Sequence, residues 1–187
     1  TQIMCKDTSC SNKEYGKLKK DLIITVVEII LAMIIGIAIS TFIVANTEVP
    51  TGSMIPTIEE HAMLMSNRTA YWFSEPKRGD IVIFEFPDDN NKLLIKRVIG
   101  LPGDKIEGKE GNVYINNVKL DESSYINKAV YTNEFGPYTV PNNCYFMMGD
   151  NREHSLDSRY WKNKFVSKDN IIAQAWFEYK PNFKKLN

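Results

Sequence analysis

The feature that most constrains this chain is a run of 24 residues, Leu22 to Ala45, reading LIITVVEIILAMIIGIAISTFIVA, with a single charge at Glu28. At a rise of ~1.5 Å per residue, a helix of that length covers a hydrocarbon core of ~30 Å with some tilt. A cleaved secretory leader has an apolar region of roughly 7–15 residues followed by a small-residue cleavage site. Here the sequel is NTEVPTGS, a poor match. The run is therefore expected to be an uncleaved membrane anchor. Lys13, Lys17, Lys19 and Lys20 precede it, and no Lys or Arg follows until Arg68. Positive charge flanking the cytoplasmic side places the N-terminus inside and the bulk of the chain outside. Glu28 has two readings, a snorkelling or protonated carboxyl and a polar contact to another membrane helix. The expected partition is a cytoplasmic segment over 1–21, a transmembrane helix over 22–45 and an extracytoplasmic domain over 46–187.

That domain reads as mainly β. Short β-branched and aromatic runs, GDIVIFEF (79–86), KLLIKRVIG (92–100), KIEG (105–108), NVYINNVKL (112–120), CYFMMGD (144–150) and NIIAQAWFEY (170–179), alternate with Pro, Gly, Asn and Asp turn signals. KDNII at 168–172 reads as either one helical turn or a strand entry. The spacing predicts a compact β-sandwich or barrel. Basic and acidic residues balance at 23 each, which argues against a general nucleic-acid binder. Cys5, Cys10 and Cys144 form no CxxC or Cys/His cluster, so no metal cluster or disulfide framework is expected.

Just beyond the apolar run stands VPTGSMIPTI, Val49 to Ile58. Pro50 and Pro56 restrict its flanks, and Gly52 allows close approach of another chain. Such a stretch suits holding the hydroxyl of Ser53 in one place. Serine is a weak nucleophile and needs a base. His61 and His154 are candidates by analogy with a Ser-His-Asp triad. A lysine three residues on is excluded, because that position is Pro56. The third option is a lysine brought in by the fold. In LLIKRVIG basic residues interrupt an apolar strand, and an amine there loses solvation and favours its neutral form. Alternation alone does not choose between Lys96 and Arg97, but arginine stays protonated, so only Lys96 can accept a proton. The alternative is that both are edge-strand charges. The Thr51 hydroxyl and the Ser53 backbone N–H are candidate donors to an oxyanion.

The ordered stretches PTGSMIPTI, PKRGDIVIF, IKRVIGLPGD, VYIN and YFMMGDNREHSLDSRYW resemble the bacterial type I signal peptidases, membrane-bound serine endopeptidases with a Ser-Lys dyad, over roughly residues 48–175. The absence of a large insertion is similar to Gram-positive members. The resemblance implies Ser53 as nucleophile, Lys96 as general base, Thr51 as an oxyanion-hole hydroxyl, Ser155 as a hydroxyl that orients the lysine, and Asp157 with Arg159 as a buttressing ion pair. It further implies an acyl-enzyme, no cofactor, and exported pre-proteins with small residues at −1 and −3 as substrates. The lipid bilayer is the other expected partner, and the enzyme is expected to act as a monomer in the cell membrane. EHAMLMSNR (60–68) and IIAQA (171–175) depart from the usual family pattern. One alternative is a sortase-like transpeptidase using Cys144, a histidine and Arg159. Others are a chaperone of peptidase ancestry and a peptidase dedicated to one pilus system.

Overall fold

The structure, a computed structural model, describes residues 7–126 and 133–186, with the side chains of 7–14 left undescribed. The chain divides into two units, 1–42 and 43–187. The first is one helix, α1 (Asp7–Phe42), of which Tyr15–Phe42 is long and apolar enough to cross a membrane. Its apolar side chains are exposed along their length, as expected of a segment whose solvent is lipid. The helix stops three residues short of the expected Ala45. Ile43 has left the helix, and Val44 and Ala45 belong to a strand. The β-branched Val44 opens a segment, VANTEV, whose backbone is taken up by pairing with the next strand. Apolar composition continues across that boundary, so hydropathy alone carried the expectation too far.

The second unit is mainly β, as expected, and is built from two antiparallel sheets. Its strands are β1 (Val44–Val49), β2 (Ala62–Asn67), β3 (Ile81–Phe86), β4 (Asp89–Gly100), β5 (Lys105–Lys109), β6 (Asn112–Ile115), β7 (Val118–Lys119), β8 (Phe135–Thr139), β9 (Cys144–Met148), β10 (Val166–Ser167), β11 (Ile171–Lys180) and β12 (Lys184–Lys185). The larger sheet runs β1-β2-β11-β3-β4-β9-β10, with β12 on β11, and the smaller runs β7-β6-β5-β8. The stretches 60–68 and 171–175 contribute to β2 and β11, which pair with each other. KDNII resolves into both of its readings, a 3-10 turn at Lys168–Asn170 followed by β11.

Both faces of the large sheet are covered. On β3, Ile81 and Ile83 enter a cluster with Val49, Met54, Leu64 and Ile95, while Val82 and Phe84 enter a second with Val98, Met147 and Trp161. A third cluster joins Ile99, Phe146 and Met148 to Ile106, Val113 and Ile115 of the small sheet. This two-sided burial explains why IVIF is a continuous rather than an alternating apolar run. It also makes β4 an interior strand, hydrogen-bonded to β3 and β9, and disposes of the edge-strand reading of Lys96 and Arg97.

Candidate active site

Ser53 lies in a single 3-10 turn, Gly52–Met54, entered from the extended Thr51. Met54 is fully buried in the first cluster and Ile58 packs beside it, which pins the turn from below. From the other side Asn151 grips it twice. The Asn151 backbone N–H donates to the Ser53 carbonyl at 3.1 Å, and its Nδ2 donates to the Gly52 carbonyl at 2.9 Å. The Ser53 hydroxyl has two side-chain partners among the described residues. Lys96 Nζ stands at 2.7 Å and Thr51 Oγ1 at 3.2 Å.

Lys96 arrives from the middle of β4, opposite Val82. It is 3% exposed, and Nζ also donates to the Ile95 carbonyl at 2.9 Å. Burial lowers the pKa of its ammonium to about 8, against the opposing pull of Asp157 and then Asp150. At that value a substantial fraction of the amine is neutral near physiological pH. A neutral amine at hydrogen-bond distance from a hydroxyl can accept its proton. Neither histidine supplies such a partner: His61 pairs with Glu48 at 3.0 Å on the surface, and His154 faces Asn151 at 3.3 Å.

The loop after β9 carries the remaining expected residues. Asp157 and Arg159 form a fully buried fork, with Nε to Oδ1 at 2.8 Å and Nη2 to Oδ2 at 2.9 Å. Asp157 Oδ2 also accepts from the Gly149 N–H at 3.0 Å, and Arg159 Nη2 donates to the Arg152 carbonyl at 2.8 Å. Ser155 differs from expectation. Its hydroxyl is buried but bonds to nothing among the described residues, and the two partners of Lys96 Nζ are Ser53 and Ile95. Ser155 packs against Gly149 so closely that a Cβ there would collide with its Oγ. The glycine is needed at this position for approach rather than for backbone conformation.

Two further ion pairs escaped sequence reasoning. Strand neighbours diverge, so Arg97, next to Lys96, reaches Asp150 instead, through bonds of 2.8 and 2.6 Å, and donates to the Gly79 carbonyl at 2.6 Å. Arg152, fully buried, pairs with Glu122 through both of its terminal nitrogens. For Arg97 the signal was its placement among the apolar residues of LLIKRVIG, which demands a counter-charge, whereas Arg152 stands among polar neighbours in GDNREHS and gave no such signal. Nothing local in the sequence names partners 53 and 30 positions away. Cys144 begins β9 against the third cluster, and burial first, then Asp169, pushes its thiol up. A raised pKa disfavours the thiolate a cysteine transpeptidase needs, and Arg159 is committed to Asp157.

A sheet-rich domain after a membrane-length helix, presenting a hydroxyl to a buried amine, has the makings of an anchored hydrolase. Residues 22–180 match the family model described as signal peptidase, peptidase S26. A probable signal peptidase I-2 from Synechocystis sp. is 38% identical over 156 residues, covering 80% of this chain and 69% of that protein. Signal peptidase I S from Bacillus subtilis is 38% identical over 172 residues, covering 87% and 91%. A crystal structure of a signal peptidase I from Enterococcus faecalis is 34% identical with a TM-score of 0.45, covering 54% of this chain and 97% of that one. The chain belongs to the peptidase S26 family of signal peptidases. The sortase-like, chaperone and pilus-dedicated alternatives receive no support from these comparisons.

Proposed function

We propose that this membrane-anchored serine peptidase removes signal peptides from exported pre-proteins through Ser53 and Lys96. The observation that carries the reading is the 2.7 Å contact between the Ser53 hydroxyl and a buried, pKa-lowered amine. Ser53 Oγ attacks the scissile carbonyl while its proton passes to the neutral Lys96. The Thr51 hydroxyl and the Ser53 N–H stabilise the tetrahedral oxyanion. The Lys96 ammonium then protonates the departing amine of the mature protein, leaving the signal peptide as an ester on Ser53. Water attacks that ester with Lys96 taking its proton, and Ser53 is regenerated as the peptide acid leaves. Asp157 and Arg159 hold the loop that abuts the site, and Ser155 fills space against Gly149 beside it.

In this reading the substrate carries small residues at −1 and −3, the N-terminus is cytoplasmic, the catalytic domain lies outside the membrane, and one chain suffices. The flanking lysines support the orientation. The test is cleavage of a pre-protein by wild type and by Ser53→Ala, Lys96→Ala and Cys144→Ala. The first two are expected to lose about 10³-fold or more in rate, since nucleophile and base act as a unit, while Cys144→Ala retains activity. Cleavage that survives Ser53→Ala would sink the proposal.

A further inference from the structure

Between β7 and β8 the chain forms a short turn in which the Glu122 carbonyl accepts from the backbone of Tyr125 at 3.2 Å and of Ile126 at 2.9 Å. This turn belongs to the small-sheet side of the domain, yet it touches the catalytic region at two places. The Glu122 carboxylate is the counter-charge of the fully buried Arg152. The Tyr125 ring lies under the Arg97 guanidinium, 4.1 Å from ring centroid to Cζ. One bond ties the two contacts together, from the Tyr125 hydroxyl to Glu122 Oε1 at 2.8 Å.

The two arginines sit on the two halves of the site. Arg97 follows Lys96 on β4 and fixes that strand to Asp150 and Gly79. Arg152 follows Asn151, whose backbone and side chain hold the carbonyls of Ser53 and Gly52. Arg152 Nε also donates to the Gly149 carbonyl at 3.0 Å. We infer that Glu122 and Tyr125 act as one positioning clamp, bracing the strand that carries Lys96 against the loop that holds the Ser53 turn. A buried guanidinium without its carboxylate must move or take up water. Either response shifts the Asn151 loop, and with it the register between hydroxyl and amine. The clamp touches no reacting atom, so its loss lowers kcat and leaves KM near its original value.

This inference rests on the Ser53–Lys96 reading, and the experiment separates the two. Full-length enzyme is assayed on a pre-protein with alanine at −1 and −3, with rates expressed per folded molecule from thermal unfolding. Ser53→Ala and Lys96→Ala serve as controls for the dyad. Glu122→Gln and Tyr125→Leu are expected to lower kcat about 10- to 100-fold with KM changed less than about 2-fold, the scale on which small misplacements act. Tyr125→Phe keeps the ring over Arg97 and is expected to recover all but about 3-fold, the cost of one lost hydrogen bond. The double variant Glu122→Gln/Tyr125→Leu is expected to be no worse than the poorer single variant, as residues of one unit are not additive. A kcat per folded molecule within about 2-fold of wild type in Glu122→Gln and Tyr125→Leu, on the same scale, overturns the clamp while inactive dyad controls leave the dyad standing. Losses that fall on KM, or that multiply in the double variant, overturn it as well. Should a single variant fail to fold, the comparison of Tyr125→Phe with the other decides. Active dyad controls would instead overturn the underlying mechanism.

Discussion

At the scale of single residues, the site depends on keeping an amine where water cannot reach it. Burial lowers the pKa of Lys96 to about 8, so its neutral, proton-accepting form grows as pH rises through that value. The acid limb of the pH dependence of kcat/KM is expected to lie near 8, measured by initial rates on a peptide substrate. The same burial has a stability consequence of determinate sign. Between the folded value of about 8 and the ordinary 10.5, the unfolded chain holds more protons than the folded one, so stability rises with pH there. Below that window the burial penalty is present in full. Lys96→Met is therefore expected to be more stable than wild type at neutral pH, by about 1–3 kcal/mol, with the gap closing towards pH 10.5 in denaturant titrations. Asp157→Asn leaves the Arg159 charge buried without a counter-ion and is expected to cost about 3–5 kcal/mol, read as a lowered thermal midpoint. Ser53, Lys96, Thr51, Asp157 and Arg159 were all legible as candidates, because each sits in a short motif. Asn151 was legible only as part of a loop, since its work is to bond the backbone carbonyls of Gly52 and Ser53, about a hundred positions earlier in the chain.

At the scale of elements, the apolar and β-branched runs marked the strands of the core well, and their ends poorly. NVYINNVKL reads as one strand but folds as the hairpin β6–β7. Asn116 and Asn117 both take positive φ, 51° and 68°, in a two-residue turn that matches the twist of paired strands. The Asn-Asn pair was the available signal, hidden by β-branched neighbours on either side. Likewise Asp89 to Asn91, with the composition of a loop, extend β4 towards a tight turn at Pro87-Asp88. Replacing Asn117 with Gly is expected to leave stability within about 0.5 kcal/mol or raise it, while Asn117→Val, forcing a branched Cβ into left-handed backbone, is expected to cost about 1–2 kcal/mol. Equilibrium unfolding of the catalytic domain in the full-length chain distinguishes the two. The strand β1 could not be anticipated at all, because its first residues continue the hydropathy of the helix.

At the scale of the whole molecule, the parts that make the site come from opposite ends of the domain. The hydroxyl and the amine are 43 residues apart, and the loop that grips the Ser53 turn lies some hundred residues beyond it. Contacts that span so much chain form late, because the entropy of closing the intervening loops must be overcome first. During refolding, recovery of cleavage is expected never to run ahead of the fluorescence change of Trp161, which is buried in the second cluster just past that loop. The placement of the Asn151 loop thus acts as a timer. A chain still emerging during synthesis, or one cut short before that loop, has its serine and its lysine but lacks the Asn151 bonds that hold the serine turn. Cleavage is therefore expected to wait until the Asn151 loop has been made and has docked on the Ser53 turn.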